Sequence, residues 1–137
     1  MNISEAQKKN VEIVQTTLDN ARAGNLKLIE HFFADDFVLH NAPGLPYGGD
    51  YHGWKGYVEQ CEKLNKFWTN AKHVEREFLP IGDNRVFVHF SIDRDISHNG
   101  QHVKMPIVAI WELKNGKVQR IRPFYFDTKQ IADLAAK

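Results

Sequence analysis

Residues 102–127 read HVKMPIVAIWELKNGKVQRIRPFYFD. Met105, Ile107, Ala109 and Trp111 fall on every second position of the first half. The dipeptide Asn115-Gly116 then interrupts, and a second run follows it. A period of two marks a strand with one dry face, and Asn-Gly between two such runs is a strong signal for a tight hairpin. Residues 102–113 and 117–127 are therefore read as paired antiparallel strands. Upstream, residues 85–94 (RVFVHFSIDR) alternate in the same way, and the turn His98-Asn99-Gly100 joins them to the pair. Residues 73–80 form a further candidate strand, linked on by Gly82-Asp83-Asn84.

Toward the N-terminus the period changes. Ser4 followed by Gln7 fits a helix cap with Ile3 as a hydrophobic staple. Val11, Val14, Leu18 and Ala21 then recur at helical steps until Gly24. A second, short helix is expected over residues 26–33, broken by FADDF, with a short strand at 37–40. Pro43, Gly44, Pro46, Gly48 and Gly49 make residues 42–52 a loop. Residues 53–67 read as a third helix, with Tyr57, Cys61 and Leu64 at helical spacing, and residues 128–136 as a terminal helix or fray. The order is α-α-β-α-β-β-β-β, which is an α+β class. The expected architecture is one domain over 1–137: a curved, mostly antiparallel sheet wrapped around N-terminal helices to form a conical cavity.

Composition narrows the function. Eighteen Lys and Arg against 17 Asp and Glu give a formal charge of +1, with no basic stripe for a phosphate backbone, so nucleic acid is not an expected partner. The single cysteine, Cys61, has no internal disulfide partner and sits in an amphipathic helical setting, which reads as a buried or half-buried thiol. MNISEAQKK lacks the apolar core of a signal peptide, and no stretch reaches membrane-spanning length. A cytoplasmic protein with no membrane partner is the expectation.

FADDFVLHNAPG, PYGGDYHGWKGYVEQ and IVAIWELKNGKVQRIRPFYFD, in that order and spacing, resemble the NTF2-like superfamily, and within it the SnoaL-like and ketosteroid-isomerase-like domains. The resemblance covers nearly the whole chain. It implies a conical cavity closed by helices, and homodimers that pair through the outer sheet face. It implies no single reaction: isomerases, polyketide cyclases, dehydratases, epoxide hydrolases and binding domains share the shape. The isomerase's catalytic residues are not retained. Its base aspartate falls on Asn41, its oxyanion tyrosine on Thr17, and its second aspartate on Ala109, or on Val108 if the hairpin is one residue longer. An amide cannot take a proton. The cyclase branch uses an Asp or His on the inner sheet face, and PIVAIW offers no carboxylate there.

The remaining polar candidates are His40, Asn41 and His89. Imidazole both accepts and gives a proton near neutral pH. Alternation turns His40 away if Leu39 and Asn41 face the cavity, and a bend before Pro43 would bring it back. Asn41 either donates to a substrate carbonyl or water, or makes an Asx turn into Ala42-Pro43. His89 lies outside if Val86, Val88 and Phe90 face inward, and is the central polar group if the faces are reversed. His102 is placed to pair across its hairpin with Asp93 or Asp95. Tyr47, Tyr51, Trp54, Met105, Ala109, Trp111 and Tyr125 are the candidate ligand contacts, apolar surface with hydroxyls to orient a flat molecule. No compact metal motif such as HExxH is present, so no metal and no cofactor are expected.

The leading expectation is a cofactor-independent proton-transfer enzyme, of isomerase, cyclase or dehydratase type, acting on a small hydrophobic carbonyl-containing or polycyclic metabolite. A non-catalytic domain for a hydrophobic small molecule or protein partner is the alternative. Epoxide hydrolysis is a third: Asn41 would help hold the water, but the acid is missing from the expected strands.

Overall fold

The computed structural model describes residues 2–72 and 74–137. The chain forms helix α1 (Glu5–Ala23), two single 3-10 turns (Leu26–Leu28 and Glu30–Phe32), strands β1 (Phe33–Asn41) and β2 (Gly49–His52), and helix α2 (Gly53–Phe67). Strands β3 (Trp68–Thr69), β4 (Glu77–Ile81), β5 (Arg85–Ile96), β6 (His102–Lys114) and β7 (Lys117–Tyr125) follow, and α3 (Thr128–Ala135) ends the fold. The sheet runs β2-β1-β7-β6-β5-β3, with β4 also paired to β5. Only β1 and β7 are parallel among these pairs. It is the expected α+β cone: a curved, mostly antiparallel sheet wrapped around helices.

Local signals account for the helix ends. Ser4 Oγ accepts from Gln7 N at 3.1 Å, and Ser4 N donates to Gln7 Oε1 at 2.9 Å, closing a reciprocal capping box worth about 1 kcal/mol. Gly24 leaves α1 in the left-handed region at φ 83°. Asn10 Nδ2 donates to Asp83 O at 2.7 Å and ties α1 to the β4–β5 turn. Gly56 permits the close seating of α2 on β2: a Cβ there would lie 2.7 Å from the Tyr51 carbonyl carbon.

The structure corrects several boundaries. The helix expected over 26–33 is only two 3-10 turns, because β1 already begins at Phe33. FADDF is thus strand, and a register irregularity between Phe33 and Val38 absorbs the exposed pair Asp35-Asp36. Residues 49–52, expected in a loop, pair antiparallel with β1 from Asn41↔Gly49 to Val38↔His52. Four residues beginning with glycine are too short to carry a period. The strand expected from 73 starts at Glu77, and His73 lies outside the described residues.

Two apolar clusters pack on the inner face of the sheet. The first packs Ile13 and Val14 of α1 and Tyr57 of α2 on Phe37, Leu39, Val86, Val88, Ala109 and Trp111. The second joins Ile131 of α3 to Leu45, Tyr47, Trp68, Ile92, Ile96, Val103, Met105 and Ile107. Phe90 packs against both. His98 Nε2 lies 2.8 Å from Ala135 O, and Asn99 Nδ2 donates to Leu134 O at 2.9 Å, so the β5–β6 turn holds the end of α3. No helix among the described residues is long and apolar enough to cross a membrane.

Candidate functional site

The end of β1 decides the polarity of the interior. Its burial alternates so that Phe37, Leu39 and Asn41 face inward, while Val38 and His40 face the other way. Asn41 follows the last β1 residue of the first cluster and precedes Ala42 and Leu45 of the second. It is 3% exposed, and neither Nδ2 nor Oδ1 has a hydrogen-bond partner. A buried amide left this way costs about 1–3 kcal/mol. Thr17 is fully buried on α1, and its Oγ1 is also unpartnered. These are the positions where the resemblance puts the isomerase base and the oxyanion tyrosine. Ala109, at the third, is buried in the first cluster.

A chain of aromatic hydroxyls lies across the second cluster. Tyr47 Oη donates to Tyr125 Oη at 2.8 Å, and Trp68 Nε1 donates to Tyr47 Oη at 3.2 Å. Tyr51 Oη donates to the Tyr47 carbonyl at 2.7 Å, fixing the loop that carries it. Burial pushes the Tyr47 phenol up to about 12, and burial together with the neighbouring Tyr47 holds Tyr125 well above its ordinary range. Both are hydrogen-bond donors at neutral pH, not bases. Arg94 lies close enough for its charge to act on both rings.

The other expected contacts lie within the apolar clusters or against them. Trp111 and Met105 are buried, 2% and 4% exposed. Trp54 is half-buried and stacks on Tyr57 at 5.8 Å between ring centroids, with Phe33 at 5.1 Å. That places it against the first cluster. Cys61 is half-buried, and burial raises its thiol to about 11.

The histidines do not join Asn41. His40 Nδ1 pairs with Asp50 Oδ1 at 2.7 Å, directly across the β1–β2 ladder. His89 is exposed on the outer face, across from Glu77 on β4, with Nδ1 2.9 Å from Glu77 Oε1. Its strand carries the apolar side inward, so the reading that makes His89 the centre of the pocket is overturned. His102 reaches both aspartates of its neighbouring strand, Asp95 at 2.7 Å and Asp93 at 2.9 Å, the second without hydrogen-bond alignment. Every histidine among the described residues is at least partly exposed. No group of three His, Cys, Asp or Glu side chains among the described residues is placed to hold a metal ion.

A groove of about 470 Å³ runs along the outward-facing His40, Asp50, Arg122 and Phe124 and reaches Asn41 and Tyr125. The Asn41 amide atoms remain out of reach of solvent there. The sequence reading missed Arg94, Trp68 and Asp50. Arg94 had a signal: it continues the inward parity of Val88, Phe90 and Ile92. Asp50 and Trp68 had none, because β2 and β3 are too short to read.

The fold is shared widely. An NTF2-like protein from Burkholderia xenovorans LB400 superposes with a TM-score of 0.85 at 21% identity, over 93% of this chain and 95% of that one. Bal32a, from a soil-derived mobile gene cassette, gives 0.83 at 18% identity over 95% and 98%. TerC, crystallised with polyporic acid, gives 0.78 at 20% identity over 94% and 99%. No curated protein matches the chain. The model of the SnoaL-like domain matches residues 14–121, from the buried face of α1 to the β7 residue that backs Trp111, and the chain belongs to that family.

Proposed function

We propose that the chain acts on a small, mostly apolar molecule bound inside the cone, with a carbonyl oxygen of the ligand on Asn41. The observation that carries this is the Asn41 amide, buried with both polar atoms free at the junction of the two clusters. A ligand oxygen taking its Nδ2 relieves that penalty. The phenols of Tyr47 and Tyr125 add neutral donors nearby in the second cluster. Such a set stabilises negative charge on an enolate oxygen.

The reaction class that asks least of this interior is cofactor-independent proton transfer on a substrate whose C–H bond is already acidic. A polycarbonyl compound undergoing aldol-type cyclisation, or a ketone being isomerised or dehydrated, meets that demand. The protein then supplies orientation and charge stabilisation. His40, held by Asp50 on Nδ1, keeps Nε2 for a proton at the rim, not for an atom bound at Asn41. The outward position of the histidines favours a second reading, binding without turnover. A homodimer through the outer sheet face accompanies either reading. Leu79, Ile81 and Phe124 are exposed there at 49%, 39% and 54%.

The test is a ligand-observed binding screen of cyclic ketones, polycarbonyl fragments and epoxides, with product analysis of every binder. Turnover lost in Asn41→Leu supports the enzyme. Tight binding without product, also lost in Asn41→Leu, selects the binding domain. Binding indifferent to Asn41 refutes both.

A further inference from the structure

Arg94 has no answer within the fold as described. It stands half-buried on the inner face of β5, at the same parity as the buried Ile92 and Ile96, and opposite the buried Val103. A cation in such a place ordinarily has a carboxylate beside it. Among the described residues none lies within ion-pair distance of its guanidinium. The groups whose fields reach it are the Tyr47 and Tyr125 phenols and other cations, Arg22 and Arg76. Arg76 is already engaged by Asp19 at 3.4 Å. Burial disfavours the Arg94 charge without removing it, since a guanidinium stays protonated.

We propose that Arg94 is the anchor for an acidic ligand: the cone takes a small, mostly apolar monocarboxylate, its carboxylate against the Arg94 guanidinium and the Tyr47–Tyr125 hydroxyls. This rests on the cone interior being the binding site and names the charge of what enters it. The guanidinium fork matches a carboxylate through two parallel hydrogen bonds. Arg76 is held by Asp19 and Arg22 is exposed, so among the described residues Arg94 is the one cation free to meet a buried group and balances one negative charge. A phosphate monoester dianion would leave a second charge uncompensated in an apolar interior. Arg22, exposed at the end of α1, adds positive field nearby and favours the approach of an anion.

The experiment uses the full chain and matched probes: 2-naphthoate and 3-phenylpropanoate, their methyl esters, and the neutral ketone 2-tetralone. Tryptophan fluorescence reads the site, because Trp68 is bonded to Tyr47. Each acid is expected to bind at least about tenfold more tightly than its ester. Arg94→Gln removes that preference by weakening the acids, and Arg94→Lys keeps part of it. Equal affinity of acid and ester, preference surviving Arg94→Gln, or no acid binding at all overturns the proposal. Arg94→Met guards against a folding artefact. It is expected to melt at or above the parent temperature, since no ion pair is lost, and a clearly lower melting temperature also refutes. If 2-tetralone binds and depends on Asn41 while the acids fail, this inference falls and the proposed function stands. If 2-tetralone binding ignores Asn41 while the acids depend on Arg94, the reverse holds.

Discussion

Replacing Asn41 by leucine is expected to make the free protein more stable and to end ligand binding. Leucine has the same number and branching of side-chain heavy atoms, and the site is 3% exposed on a strand. The native amide has two polar atoms withdrawn from water with nothing in return. Each such group costs about 1–3 kcal/mol, so a gain of about 2 kcal/mol is a low-end figure for removing both. Asparagine is also a poorer strand residue than leucine, which adds in the same direction. In urea, with a slope of about 1.5 kcal/mol/M, the midpoint should rise by about 1.3 M at unchanged slope. The melting temperature should rise by about 6–10 °C. A midpoint that falls, or stays within about 0.2 M of the parent, would refute the reasoning. It would mean that the amide has partners in the free protein and is a structural element, and the functional reading would lose its main support.

Four further outcomes follow from the same geometry. Tyr47→Phe strands Trp68 Nε1 and one bond of Tyr125, and should cost about 1–3 kcal/mol in a urea titration at pH 7. The raised Tyr47 phenol also sets an alkaline limit. The folded form holds its proton up to about 12 and the unfolded form only to 10.0, so stability is full below pH 10 and falls by roughly 3 kcal/mol as pH rises through 12; Tyr47→Phe should flatten that slope. Gly56→Ala puts a methyl 2.7 Å from the Tyr51 backbone and should destabilise by about 1–3 kcal/mol, while alanine at the open Gly82 should cost less steric strain and more from its φ of 60°. Cys61, with its thiol raised to about 11 by burial, should react with iodoacetamide at pH 8 far more slowly than an unfolded control, and equal rates would show an open site.

The alternation around Met105 to Trp111 and the Asn-Gly turn are local and strong, and they carried the cone from sequence to structure. The capping box at Ser4 did the same for α1. What failed was short or bulged. Residues 49–52 and 68–69 become strands only because a neighbouring edge offers hydrogen bonds, and no residue pattern announces such an edge. FADDF mixes two exposed acids into a strand because a bulge takes them up. For the site, the resemblance pointed to Asn41 and Thr17, and the structure leaves polar atoms of both unpartnered. Pleat parity sorted His40 outward, as alternation implied. The same parity marks Arg94, between Ile92 and Ile96 on the apolar face, but a strand read only as far as residue 94 makes its one charge look like the face's end.

Helix α3 is short, yet it sets the size of the interior. Its Ile131 is fully buried among Leu45, Tyr47, Trp68 and Met105, so it works as a stopper seated in the wide end of a funnel. The walls are long strands held by continuous ladders, and they resist change. The stopper hangs on Ile131, on the half-buried Leu134 and Ala135, on a cap at Asp127 and on two side chains from the β5–β6 turn. The space under α3 is therefore adjustable without disturbing the sheet: a smaller residue at 131 would leave a gap among Leu45, Tyr47, Trp68 and Met105, and a larger one would press on them.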